Sequence, residues 1–155
     1  MNTVLYFSAS GTIYETRAYT KADIDRLIQD QGLYCLTSDD RQFDFWFSPS
    51  ARNCQRRVNR AATELLLATT QLNAKSVPLL RGAVVIATHD SDGDLDGLSW
   101  QQLDELVRHS RSLSKRDDRV LNRRILREDH ARKAAAAPVA PAPVSCARPR
   151  VAAHR

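Results

Sequence analysis

The stretch Gly82-Ala-Val-Val-Ile-Ala-Thr88 constrains this chain more than any other. It is apolar at consecutive positions and bounded by turn-forming residues. A strand built from it has no face to offer to water and needs cover on both sides. The next ten residues, His89-Asp-Ser-Asp-Gly-Asp-Leu-Asp-Gly-Leu98, place carboxylates at Asp90, Asp92, Asp94 and Asp96, which predicts a polar turn. Ser99 with Gln102 three residues later marks a capping-box helix start, and Leu103, Leu106 and Val107 give that helix an apolar face. The rest of the chain must supply cover for this strand, turn and helix.

The preceding sequence can do so. Residues 3–9 are rich in β-formers, Ser10-Gly11 marks a turn, and residues 12–19 return as a second strand. Thr20 with Asp23 predicts a helix cap. Ile24, Leu27 and Ile28 form the buried face of that helix, and Gly32 is expected at its C-terminal cap. Residues 33–37 and 43–48 read as two more strands. In the second of these, Phe43, Phe45 and Phe47 share one face while Asp44, Trp46 and Ser48 share the other. Pro49 ends it. From about Gln55 to Leu72, apolar residues repeat at helical spacing through Val58, Ala61, Ala62, Leu65, Thr69 and Leu72. The order ββα, ββα, βα predicts an α+β head with a mixed or antiparallel sheet over residues 1–107.

Charge divides the chain unevenly. Residues 1–107 hold 10 Lys and Arg against 14 Asp and Glu, a net −4, whereas residues 108–155 hold 13 against 4, a net +9. A basic helical extension is expected over 108–133. Ser114 caps it, Asp117 and Asp118 lie in its first turn, and Val120, Leu121 and Ile125 form its apolar stripe. The Ala- and Pro-rich composition of 134–155 cannot build a core and predicts a disordered or polyproline-like tail. This asymmetry points to a polyanionic partner, a nucleic acid or an acidic protein surface. The apolar stripe also suits packing on the head or on a second subunit. No apolar run approaches the roughly 20 residues a bilayer span needs, so a cytoplasmic protein without membrane contact is expected. Three cysteines, Cys35, Cys54 and Cys146, form no close pair and favour neither a disulfide framework nor a thiolate zinc site. Cys35, within an apolar pattern, reads as a small core residue.

Asn59-Arg-Ala-Ala62-Thr63-Glu-Leu65, followed by Gly82-Ala-Val-Val-Ile86, resembles a small α/β family of unknown function found in phage and plasmid genomes. That family carries an Asn-x-x-Ala-Thr-x-Leu helix before a Gly-x-Val-Val strand. The resemblance covers roughly residues 1–107 and implies an accessory role in a mobile element, with no activity to carry over. Asn59 and Thr63, four apart on one helix face, suit hydrogen bonding to a neighbouring backbone edge.

Two stretches carry candidate chemistry. Asp92-x-Asp94-x-Asp96-Gly97 looks like the front half of a calcium loop, with oxygen ligands at alternate positions. The bidentate acid is missing, since Gln102 or Leu103 stands there, and a strand rather than a helix enters the loop. Only weak calcium binding would follow; the bland alternative is a solvated acidic turn. The basic helix offers Arg116, Arg119, Arg123, Arg124, Arg127, Arg132 and Lys133 as phosphate contacts, without aromatic residues for stacking. No phosphate loop, nucleophile elbow or metal-site histidine spacing is present, so neither an enzyme nor a cofactor is expected. The preferred reading is a non-enzymatic accessory protein that engages nucleic acid through its cationic extension. The alternatives are a protein-interaction module, as modulator or inhibitor of a host factor, and a weak calcium-binding domain.

Overall fold

The computed structural model describes residues 2–48 and 56–136. Cys54, Cys146, Pro49, the expected helix start at Gln55 and the tail from residue 137 lie outside them. The element order is β1 (Thr3–Phe7), β2 (Ile13–Arg17), α1 (Lys21–Ile28), β3 (Tyr34–Thr37), β4 (Asp44–Phe47), α2 (Arg60–Thr69), β5 (Val84–His89), β6 (Leu95–Asp96), α3 (Trp100–Ser110) and α4 (Lys115–Ala136). The fold is α+β, with a six-stranded antiparallel sheet in the order β2-β1-β5-β4-β3 and β6 pairing with the end of β5.

β5 occupies the centre, as its unbroken apolar run requires. Leu5, Ile86, Phe45 and Leu36 stand opposite one another in one row across four strands, and Tyr6, Val85, Trp46 and Cys35 in the next. Successive rows face opposite sides. Val84 and Ile86 join a core with Phe7, Phe45 and Phe47, covered by Leu65 and Leu66 of α2, Leu106 of α3, and Leu121 and Ile125 of α4. Val85 and Ala87 join Val4 in a smaller core beneath Ile24 and Ile28 of α1. Helices therefore cover both faces of an all-antiparallel sheet. Each large side chain fully buried in this way contributes about 1.5–3 kcal/mol.

Local chemistry sets most boundaries. The Asp23 carboxylate accepts from the amides of Tyr19 (2.8 Å) and Thr20 (3.1 Å), closing the start of α1. These backbone donors hold its carboxyl below the usual range. The helix ends earlier than expected. Gln29, at φ 61°, takes the left-handed cap position, and Gly32, at φ 63°, serves the following turn into β3. α2 begins at Arg60 rather than near Gln55, because Val58 is drawn into an antiparallel bridge with Arg81. Leu72 lies beyond its end and is exposed.

The largest revision concerns α4. Leu121 is 0% exposed and Ile125 is 7% exposed, both within the main core, with Val120 packed against it. The basic helix is thus a structural member of the head rather than an extension of it, and its helical turns run through Ala134 to Ala136. Among the described residues, no helix is long and apolar enough to cross a membrane.

Candidate nucleic-acid interface

α4 sorts its charges by face. Ser114 Oγ accepts from the Asp117 amide (3.1 Å) to start the helix, and the buried stripe of Leu121 and Ile125 turns one side inward. The acids flanking that side meet cations close by. Asp118 pairs with Arg60 at 3.0 Å, Glu128 pairs with the largely buried Arg81, and Asp129 lies 3.7 Å from Arg132. Arg60 also donates to Asn122 (2.9 Å) and Glu64 (2.8 Å); the carboxylates of Glu64, foremost, and Asp118 raise its guanidinium above its ordinary value.

The opposite side carries Arg116, Arg119, Arg123 and Arg127, all exposed, at spacings of three, four and four residues. Such spacing lines them along one helix face over about 16 Å. None of the four forms an ion pair among the described residues. Arg124 lies to one side and donates to the Ala74 carbonyl at 2.8 Å. Of the seven expected contact residues, the structure thus places Arg116, Arg119, Arg123 and Arg127 in a stripe with Arg124 beside it. Arg132 turns to Asp129, and Lys133 is exposed near the end of the helix. A groove beside the stripe is lined by Val120, Arg123, Arg124, Arg127 and Lys75. Sequence reasoning missed Lys75, which lies 45 or more residues from every other lining residue.

The acidic turn is a tight hairpin rather than an open loop. Asp90 Oδ1 accepts from the amides of Asp92 (3.0 Å) and Asp94 (2.9 Å), and the Asp90 amide donates to the Asp94 carbonyl (2.9 Å). Gly93 supplies the left-handed position at φ 82°. Asp96 enters β6, and its Oδ1 accepts from the Gly97 amide at 2.8 Å. Asp92, Asp94 and Asp96 do not converge, and no group of three or more carboxylates, imidazoles or thiols among the described residues is placed to hold a metal ion.

The motif residues Asn59, Ala62, Thr63, Leu65 and Gly82 all serve the fold. Buried Asn59 caps α2 through the Ala62 amide (3.3 Å), and its Nδ2 donates to the carbonyls of Phe7 (3.1 Å), Ser8 (3.3 Å) and Gly82 (2.9 Å). Thr63 Oγ1 donates to the Asn59 carbonyl and accepts from the Leu80 amide. Gly82 stands at φ 71°, and Ala62 and Leu65 pack in the core.

A second polar cluster lies on the α1 side of the sheet. Buried Asp44 accepts from Thr37 Oγ1 through one oxygen and meets His89 Nδ1 through the other, each at 2.8 Å. Only an isolated acid within an apolar strand signalled it. Cys35 is exposed on the outer strand rather than in the core as expected, yet burial at its thiol, with Asp44 beside it, pushes it up to about 12. Against an ordinary 9.0, that leaves about 10³-fold less thiolate at pH 8. With Cys54 and Cys146 replaced by serine, iodoacetamide should label folded Cys35 at least 100-fold more slowly than the urea-unfolded chain, read by mass spectrometry. Because the raised value favours the protonated form, its contribution to stability is complete below pH 9 and declines as pH rises toward 12.

The fold is that of an α+β protein whose α4 carries an arginine face without ion pairs among the described residues. Comparison with protein-family models, with curated proteins and with solved structures gives no match in any of the three.

Proposed function

We propose that this protein is a non-enzymatic accessory protein that binds nucleic acid through the arginine face of α4. One observation carries the reading: the acids of α4 that form ion pairs do so along its flanks, while Arg116, Arg119, Arg123 and Arg127 line one face and pair with no acid among the described residues. Like charges four apart, such as Arg119 with Arg123 and Arg123 with Arg127, destabilise a helix. A face shaped only for solubility gains nothing from that arrangement, whereas a polyanion converts the repulsion into attraction.

The chemistry is contact with backbone phosphates. Each guanidinium presents paired donors to phosphate oxygens, and neutralising a phosphate releases condensed counterions. No Phe, Tyr or Trp lies in α4 for base stacking, and Asn122 is occupied by Arg60. Binding should therefore be indifferent to base sequence. The phage and plasmid resemblance of the Asn59 helix and Gly82 strand adds an accessory protein's setting to this reading.

Fluorescence anisotropy of the full chain with a 20-base-pair duplex tests it. Three or four neutralised phosphates predict a slope of about −2.7 to −3.6 for log affinity against log salt, with similar affinities for unrelated sequences. A slope near zero would overturn the reading and point to apolar contacts instead.

A further inference from the structure

We infer that the groove between α4 and the turn at residues 73–76 is a phosphate clamp, in which Lys75 closes from a second element upon a backbone phosphodiester held by Arg123 and Arg127. The inference rests on the reading of α4 as the nucleic-acid contact and deepens it by naming the ligand group and adding a residue outside the helix.

The turn is built to hold Lys75 still. Asn73 Oδ1 accepts from the Lys75 amide, the Ser76 amide and Ser76 Oγ, each at 3.0 Å, while the Asn73 carbonyl accepts from the amides of Ser76 (3.1 Å) and Val77 (2.9 Å). Ala74 and Val77, on either side of Lys75, are anchored in the core. The backbone beneath the lysine is therefore fixed while its side chain stays in water.

The width of the groove is fixed too. Arg124 reaches across to the Ala74 carbonyl at 2.8 Å, tying helix to turn. It forms a cationic wall, leaving Arg123 and Arg127 free on the stripe. Val120 lines the groove between these charges, and among the described residues no carboxylate joins the lining. Four cations gathered beside Val120 repel one another modestly in water, and an anion that enters converts that repulsion into attraction. A phosphodiester suits the gap. Its non-bridging oxygens accept from the compact lysine ammonium on one side and from planar guanidinium donors on the other.

The full chain carrying Lys75→Gln tests the clamp. Removing one of the three cations that share the phosphate predicts severalfold weaker binding to the 20-base-pair duplex at 0.1 M salt, bounded by the roughly eightfold and the slope of about 0.9 that a whole phosphate carries. Lys21→Gln removes an equal charge from the other side of the sheet, where Lys21 lies over the Trp46 ring, and should change neither quantity. Lys75→Arg should retain the slope. If Lys75→Gln binds like the unaltered chain while Arg123→Gln and Arg127→Gln weaken binding, the clamp is wrong and the α4 reading stands. If all three bind like the unaltered chain, both fall. Equal losses from Lys75→Gln and Lys21→Gln would also overturn the clamp, because a diffuse charge effect would explain them.

Discussion

Replacing Arg116, Arg119, Arg123 and Arg127 together by glutamine is expected to weaken duplex binding about 10³-fold at 0.1 M salt. Each neutralised phosphate contributes a slope of about 0.9, so at that salt concentration each carries roughly eightfold in affinity, and three to four of them multiply to about 10³. The salt slope should flatten by about 2.7 to 3.6 in parallel, which separates lost phosphate contacts from a general loss of folding. Stability provides the second control. All four side chains are exposed and unpaired among the described residues, so their replacement should move stability by no more than about 0.5 kcal/mol. The direction should be slightly favourable, because the repulsions of Arg119 with Arg123 and Arg123 with Arg127 disappear. A variant that melts like the unaltered protein and still binds duplex with unchanged affinity would remove α4 as the contact surface.

The parts of this molecule legible in its sequence are those set by local periodicity. The run at residues 82–88 demanded cover on both faces, and the structure supplies it by alternation: Val84 and Ile86 to one core, Val85 and Ala87 to the other. The Ser99 and Gln102 capping box forms as read, with Gln102 reaching further to the Gln42 carbonyl and Thr88 Oγ1. Helix ends were less legible. The αL residue closing α1 is Gln29, and a non-glycine in that conformation leaves no compositional mark. Tertiary pairing was invisible in principle. The Asp44–His89 pair and the Arg124–Ala74 tie join residues about 45 and 50 positions apart, and only the antiparallel register and the crossing of α4 bring them together. Lys75 belongs to this class; in sequence it is a lone lysine in a connector. Asn59 lies between the two. Its spacing to Thr63 suggested a backbone contact, but not that three carbonyls from the ends of β1 and β5 would converge on one amide.

Charge composition separated residues 108–155 from the head, yet charge says little about packing, and three apolar positions in α4 decide the matter differently. Leu121 is completely buried among residues from α2, α3 and the sheet, so Leu121→Ala should remove its transfer free energy and leave a cavity, together about 3 kcal/mol. For a domain of this size that corresponds to a fall in melting temperature of roughly 8–12 °C. Leu126, one turn further along but exposed, supplies the comparison: Leu126→Ala should stay within about 0.5 kcal/mol of the unaltered chain. Protein concentration discriminates the remaining alternative. If α4 packed on a second subunit, the loss would shrink as concentration rose, whereas packing within the chain makes it independent of concentration. By the same burial, a chain cut at residue 107 would lose Leu121 and Ile125 from its core and be strongly destabilised. Calorimetry of Leu121→Ala at two protein concentrations tenfold apart decides the point. A melting temperature within a degree of the unaltered protein would mean that α4 is an appendage after all.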